Sequence, residues 1–426
     1  MIYLYTHTSS PRLQYICRLL FGEMMGVAYT ITIDSEAFRQ YGGAKINYSK
    51  EDIPGAYTIR NHPLLFEEII LPQAIHCFDY KNQRAFFKTV RSDHPFDILA
   101  ASFYLVSRYE EYLLHEKDEY GRYAHSNSLA YKEGFLNKPL LHYWVEELAG
   151  QLAERFPDFQ AKLPEPGILL TYDIDIAFSY KHKGLIRLAG GFLKSPSLER
   201  LKVLLGLQED PFNSYQWLDQ LHDGKIKPLY FFLVAAQNGV YDKNILPHKK
   251  VMWELVAAHA KKYNIGLHPS WQSGERPSLL QKEKEQLEAM CGHTITRSRQ
   301  HYIRFELPVT YQQLLRAGIT EDYSMGYGSI NGFRASIAVP FNWYDLEKEE
   351  ETALRVHPFC FMDANAFYEQ KQNPAEALAE MLQYFTECRQ HHGICCLIWH
   401  NNFSGTDKRF AGWREAYARF IAQALQ

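Results

Sequence analysis

The chain has 426 residues, 46% of them hydrophobic, which suits two or three domains of about 150 residues each and excludes a disordered protein. Its 46 Lys and Arg against 49 Asp and Glu leave a formal charge of −3, which argues against a dedicated nucleic-acid binder. Seven cysteines without a CxxC spacing suggest neither a zinc ribbon nor a disulfide framework, and the absence of any apolar run of about 18 residues argues against a membrane span.

The opening Met1–His7 lacks a basic stretch followed by an apolar one, so a cytoplasmic, soluble protein is expected. Ile2 to Tyr5 reads as a strand, and Ser10-Pro11 supplies an N-cap and a first-turn proline for a helix running to about Met24. Val27 to Ile33 is rich in β-branched residues and reads as a second strand. Phe96 to Leu114 and Pro139 to Phe156 show helical apolar spacing, while the polar, Tyr-rich stretch Asp118 to Gly134 between them reads as an exposed loop. Prolines 157, 164 and 166 with Gly167 mark a boundary, giving an N-terminal α/β or α+β domain over residues 1–160 and a second domain over 166–426.

Beyond the boundary the texture changes. Gly167 to Asp173 is a continuous apolar run of the kind found in fully buried strands, and it returns at Pro228–Ala235, Ile265–His268, His301–Phe305, Val356–Met362 and Ile394–Trp399. A short extended piece at Asp322–Tyr327 brings the count to about seven strands. Helical patterns at His248–Tyr263, Ser278–Cys291, Tyr311–Ala317 and Pro374–His392 separate most of them. This alternation predicts an α/β fold with a parallel sheet, either closed as a barrel or open and doubly wound.

Ionisable residues gather where these strands end, the place where such folds carry their chemistry. Asp173 and Asp175 lie two apart, so an extended backbone points both carboxylates to one side, where they repel unless a cation or proton lies between them. His268 and His301, from other strand ends, are candidates to complete an Asp/His₂ metal site with an open position. Arg334 is placed either to pair with a buried carboxylate or to bind an anionic group. Asp363 is a candidate cap of the following helix, and His400 is a candidate acid, base or ligand. The plainer readings are a polar turn for the Asp pair, a loop for His268, a sheet residue for His301 and a core position for His400.

In this order the residues resemble the polysaccharide deacetylase family, the NodB-homology carbohydrate esterases. Thr171-Tyr172-Asp173-Ile174-Asp175 is similar to the family's first motif, Thr-Phe-Asp-Asp-Gly, with one residue inserted. His268 with Ser270 and Ser273 resembles the second motif, and Arg334, Asp363 and Trp399-His400 resemble the third, fourth and fifth. With the helix-like Ser107-Arg108-Tyr109-Glu110-Glu111 in an added N-terminal domain, the chain looks like an uncharacterised bacterial branch. The resemblance implies a distorted (β/α)7-type barrel and a metal-dependent hydrolase that removes N-acetyl groups from an acetamido sugar. Asp175, His268 and His301 would hold a divalent ion, most simply zinc. Asp173 would act as base with Arg334 orienting it, and His400 as acid with Asp363 holding its ring. Gln272 stands where the second motif's second histidine belongs, which opens a different reading: a catalytically impaired barrel that binds a glycan or a protein. A metal-independent glycoside hydrolase, with Asp173 or Asp175 and a second carboxylate, Glu306 or Asp322, as its acid/base pair, is the third. The expected partner is a carbohydrate carrying an N-acetyl group.

Overall fold

The computed structural model describes residues 1–183, 197–222, 224 and 226–425. A small parallel sheet opens the chain: β1 (Ile2–Tyr5), β2 (Tyr29–Thr32), β3 (Ala44–Asn47) and β4 (Tyr57–Thr58), in the order β2-β1-β3-β4. Ser10 Oγ accepts from the Leu13 amide, and Pro11 begins the helix Pro11–Cys17, which continues to Met24 in a wider i+5 winding. A hairpin follows, β5 (Phe78–Tyr80) and β6 (Gln83–Ala85), turned by Lys81 and Asn82, both at positive φ.

The helix expected over Phe96–Leu114 is shorter, Ile98–Val106, and buried along its whole length rather than amphipathic. Arg108 ends it by adopting a left-handed φ of 55°, and Tyr109–Tyr112 continues as a tight 3₁₀ turn. Residues 118–134 also depart from an exposed loop: Arg122, Tyr123, Ser128 and Ala130 are buried. Leu140–Arg155 is helical, as the apolar spacing predicts.

The second sheet contains β7 (Gly167–Ile174), β8 (Leu229–Leu233), β9 (Asn264–His268), β10 (Arg297–Ser298), β11 (Glu321–Asp322), β12 (Phe341–Asp345), β13 (Glu350–Val356), β14 (Phe361–Met362) and β15 (Ile394–His400). Their order is β12-β13-β11-β10-β9-β8-β7-β15-β14, parallel throughout except for the β12–β13 hairpin. Among the described residues no ladder joins β14 to β12, so the expected barrel is not closed by strand pairing. Residues 323–340, which would have to close it, form a loop punctuated by Gly326, Gly328, Gly332 and Pro340. That loop covers the free edge of β14 instead: Gly332 N–H donates to Cys360 O at 2.8 Å, and Asn331 Oδ1 accepts from the Met362 amide at 3.0 Å.

Two expected strands take other forms. His301–Phe305 is a 3₁₀ turn rather than a strand, because Tyr302 and Ile303 both adopt left-handed backbones (φ 59° and 53°). Val356–Met362 is split at Pro358, which cannot donate to a ladder. The β12–β13 hairpin and the helix Trp413–Ala424 are additions to the sequence reading.

One continuous hydrophobic core runs from Ile2 to Ile421, through both parts of the chain. The edge hairpin is gripped by the first helix: Arg12 makes a two-pronged pair with Glu349, Arg18 Nε donates to Glu351 at 2.8 Å, and the Tyr15 hydroxyl donates to Asn342 O at 2.8 Å. Among the described residues no helix is long and apolar enough to cross a membrane.

Candidate functional site

Because the strands around β7 run parallel, their C-terminal ends open on one side. There β7 contributes Asp173 and, just beyond its end, Asp175; β9 ends on His268; β10 leads into Arg299 and His301; β14 leads into Asp363; β15 ends on His400, paired in register with Asp173. Thr171, Asp173 and Asp175 alternate onto one face, as period-two geometry requires.

Asp175, His268 and His301 bring one ligand atom each to within 4.8 Å of one another. His268 Nε2 lies 3.1 Å from Asp175 Oδ1, and His301 Nε2 lies 3.5 Å from Asp175 Oδ2. Ligands on bonds of about 2.1 Å around a tetrahedral ion stand about 3.4 Å apart, so these separations suit one. The other ring nitrogens are committed elsewhere. His268 Nδ1 lies 2.5 Å from Arg299 O, and His301 Nδ1 lies 3.0 Å from Asp242 Oδ1. Donation through Nδ1–H leaves both Nε2 lone pairs aimed at the centre, the usual arrangement of a histidine ligand with an outer partner. Asp175 Oδ1 is buried and has no hydrogen-bond donor aligned on it, a costly state that a cation relieves. A hard-to-borderline divalent ion therefore fits this set of one carboxylate and two imidazoles.

Asp173 is 2% exposed and fixed by Arg299, whose Nη1 donates to Asp173 Oδ1 at 2.8 Å and to Thr171 Oγ1 at 2.7 Å. Arg299 Nε is held on Tyr323 O at 3.0 Å, and its guanidinium lies 4.4 Å from the Phe231 ring centroid. This corrects the expectation for Arg334, which does not reach Asp173. Arg334 is buried against Glu111, its Nε and Nη2 donating to the two carboxylate oxygens at 2.8 and 2.6 Å, with Nη1 on Gly326 O. Of its two sequence readings, pairing with a buried carboxylate is the one realised.

Across the cleft His400 Nδ1 lies 2.6 Å from Asp363 Oδ1, and the His400 amide donates to Asp363 Oδ2 at 2.7 Å. Nε2 is 3.5 Å from Asp175 Oδ2. Burial alone would lower the pKa of His400, but Asp363 and Asp175 push it up to about 10. Burial likewise opposes the charge on His301, and Asp175 followed by Asp242 raises it to about 9. Burial pushes the Asp175 carboxyl up, but His301, His400 and His268 together hold it well below the usual carboxylate range.

Three residues of the site escape the sequence reading of roles. Arg299 stands beside His301 in the stretch Arg299-Gln300-His301-Tyr302, yet nothing local distinguishes it from Arg334. Asp242, in the loop after β8, carries no pattern at all. It accepts from His301, from the Trp271 amide at 2.9 Å and from Gln272 Nε2 at 3.2 Å. Gln272 thus supports the partner of His301 instead of joining the ligand set. Arg122, from the first part of the chain, lines the cleft with its neighbours Glu119 and Tyr120.

The cleft has a volume of about 630 Å³, and Asp173, Asp175, His268, His301 and His400 are among its lining residues. Tyr120, Tyr302, Tyr368 and Phe403 supply aromatic surface along it. Neither candidate for the second carboxylate of the glycoside-hydrolase reading lines it. Asp322 is buried on Ser298 and Ser324, and Glu306 pairs with Lys117 at 2.9 Å on the surface. A second group of soft ligands, Cys360, Cys388 and Cys395, is wholly buried and does not line the cleft.

A family of unknown function, DUF7033, matches residues 2–157. No curated protein matches the chain. Among solved structures, the chain is similar to a putative polysaccharide deacetylase from Mycobacterium smegmatis, with 15% identity, a TM-score of 0.41, and 61% of this chain and 83% of that one covered. A probable polysaccharide deacetylase from Pseudomonas aeruginosa PAO1 matches at 10% identity and a TM-score of 0.39 over 60% and 84%. A CE4 family pseudoenzyme from Bacillus anthracis matches at 8% identity and a TM-score of 0.31 over 61% and 60%.

Proposed function

We propose that this protein is a metal-dependent hydrolase that removes an N-acetyl group from an acetamido sugar in a glycan or glycan precursor. The observation that carries the reading is the convergence, in one cleft, of an Asp/His₂ donor set flanked by two separately anchored proton-handling groups, Asp173 on Arg299 and His400 on Asp363.

Asp175, His268 and His301 would hold the ion, which when bound polarises a carbonyl and makes water more acidic. Asp173 is suited to take a proton from the attacking water. Arg299 donates to its Oδ1 and fixes its direction, while Oδ2 lies 3.8 Å from His268 Nε2 at the centre. His400 presents Nε2 from the opposite flank, and the anchored Asp363 keeps the ring charged and fixed in direction. It would give its proton to the departing amine, which leaves poorly unprotonated. The aromatic rings along the cleft would cover the apolar faces of a sugar.

The test is acetate release from a panel of N-acetylated mono- and oligosaccharides by zinc-loaded protein, with chelated protein as control. Zinc-dependent acetate supports the reading. Saccharide binding without acetate would assign the chain to the binding-module alternative instead.

A further inference from the structure

Arg122 lies 45 residues before β7, yet it touches the turn that begins with His301. It is 5% exposed, and its side chain makes two fixed contacts: Nε donates to Asp118 Oδ2 at 2.7 Å, and Nη1 donates to Tyr302 O at 2.7 Å. The loop behind it is stiffened by Asp118, whose Oδ1 accepts from the amides of Tyr120 and Arg122 at 3.0 Å each. The guanidinium also lies 4.7 Å from the Tyr120 ring centroid. The third wall of this junction is Gly328, where a side chain has no room: a Cβ there would stand 1.9 Å from Arg122 Nη1 and 2.9 Å from Tyr302 O.

The segment Arg122 grips needs holding. Tyr302 and Ile303 occupy left-handed backbones one after the other, with φ of 59° and 53°, and neither is glycine. Non-glycine residues keep that conformation only where the surroundings over-determine it. The turn decides where the His301 ring stands, because His301 is its first residue and its carbonyl accepts from the Arg304 amide.

We infer that Arg122 is a positioning residue for His301: its guanidinium holds the left-handed turn on the Tyr302 carbonyl and so sets Nε2 of His301 at the metal centre. The first part of the chain thereby completes a ligand set that the second part supplies. The inference rests on the metal reading above and adds a residue that never touches the ion.

The test uses the full chain, freed of metal and titrated with zinc against a chromogenic chelator, with cobalt(II) absorption as a second readout. R122M keeps the bulk of the side chain and removes its donors. Outer partners of metal ligands are typically worth about 10–100-fold in affinity, and a loss in that range is expected. Because the effect runs through His301, the double variant R122M/H301A should bind zinc no more weakly than H301A alone, and the cobalt spectrum of R122M should shift toward that of H301A. Unchanged affinity in R122M, or a loss that adds in full to that of H301A, overturns the inference. Failure of the metal reading looks different, since the unaltered protein would then bind no zinc. Should R122M not fold, G328A pushes the guanidinium off the Tyr302 carbonyl, and its zinc affinity decides by the same criteria.

Discussion

Asp173 and Asp175 are two residues apart on one face and are treated differently by their surroundings. Arg299 fixes Asp173 through one oxygen, whereas Asp175, with its side chain 27% exposed, faces three imidazoles and, among the described residues, pairs with no guanidinium. The first arrangement suits a base and the second a ligand. Asp173→Asn keeps the shape and loses the basicity, so acetate release should fall by about 10²–10⁴-fold while zinc content stays at one equivalent. Undiminished release would move the base to Asp175.

Proton linkage gives a second expectation at this scale. In the metal-free site His301 carries its proton up to about pH 9, and a ligating Nε2 must shed it. Zinc binding therefore releases a proton below that pH, and affinity should rise with pH by about tenfold per unit for this one group. Zinc titrations at pH 6, 7 and 8 read the slope. A flat or falling profile would mean that His301 is not a ligand.

Among the elements, the short segment Ser107–Glu111 joins the two parts of the chain through buried ion pairs. Arg108 Nε donates to Glu111 Oε1 at 2.7 Å and Nη2 to Glu110 Oε1 at 2.8 Å; its Nη1 donates to Arg334 O, while the Glu111 carboxylate accepts both prongs of Arg334. Burial would raise the pKa of Glu111, but Arg334 and then Arg108 hold it at about 2. A carboxyl depressed in the fold stabilises it fully above its ordinary value near 4.3, and that contribution is lost as pH falls from there toward 2. Glu111→Ala should cost about 3–5 kcal/mol at neutral pH, because two buried guanidinium groups lose their shared counter-ion. It should also flatten the acid limb of the stability profile. Denaturant unfolding between pH 2.5 and 7 measures both.

The same elements show how far residues alone carry the reading. Strands β7, β8, β9 and β15 are apolar enough to announce themselves, and the ends of β7, β9 and β15 carry their expected polar residues to one side of the sheet. Strands β10 and β11 are two residues long, too short for any periodicity, so the turn at His301 is read as a strand. The β12–β13 hairpin mixes charge with aromatic residues, since one partner is the first helix rather than a dry interior. Arg334 and Arg299 are chemically alike in the sequence, and only the fold separates the one that meets Glu111 from the one that meets Asp173. Asp242 and Arg122 act through contacts across 59 and 180 residues of chain, which no local pattern encodes.

At the scale of the whole molecule the two parts exchange backbone bonds as well as side chains. Phe333 N–H donates to Leu136 O at 2.8 Å, Leu141 N–H to Ser336 O at 3.1 Å, and the Ala338 amide to His142 Nε2 at 3.0 Å. Expressed alone, residues 166–426 would lose these bonds, strip the Arg334 guanidinium of its Glu111 counter-ion and expose one side of the common core. That fragment should give no cooperative thermal transition by circular dichroism and no zinc binding. A fragment that melts cooperatively and holds zinc would show that the second part is self-sufficient.

The grip of the first helix on the edge hairpin also bears on how the protein comes to be made. Arg12 and its partner Glu349 are separated by 337 residues. At a translation rate of about 5–20 residues per second, the helix waits roughly 17–70 s on the ribosome before the strands that cover it emerge. During that interval the side of the helix that meets the hairpin, with the guanidinium groups that will pair with Glu349 and Glu351, lacks its cover. Synthesis rate and the supply of holding chaperones should therefore govern the yield of this protein more strongly than the stability of its finished fold.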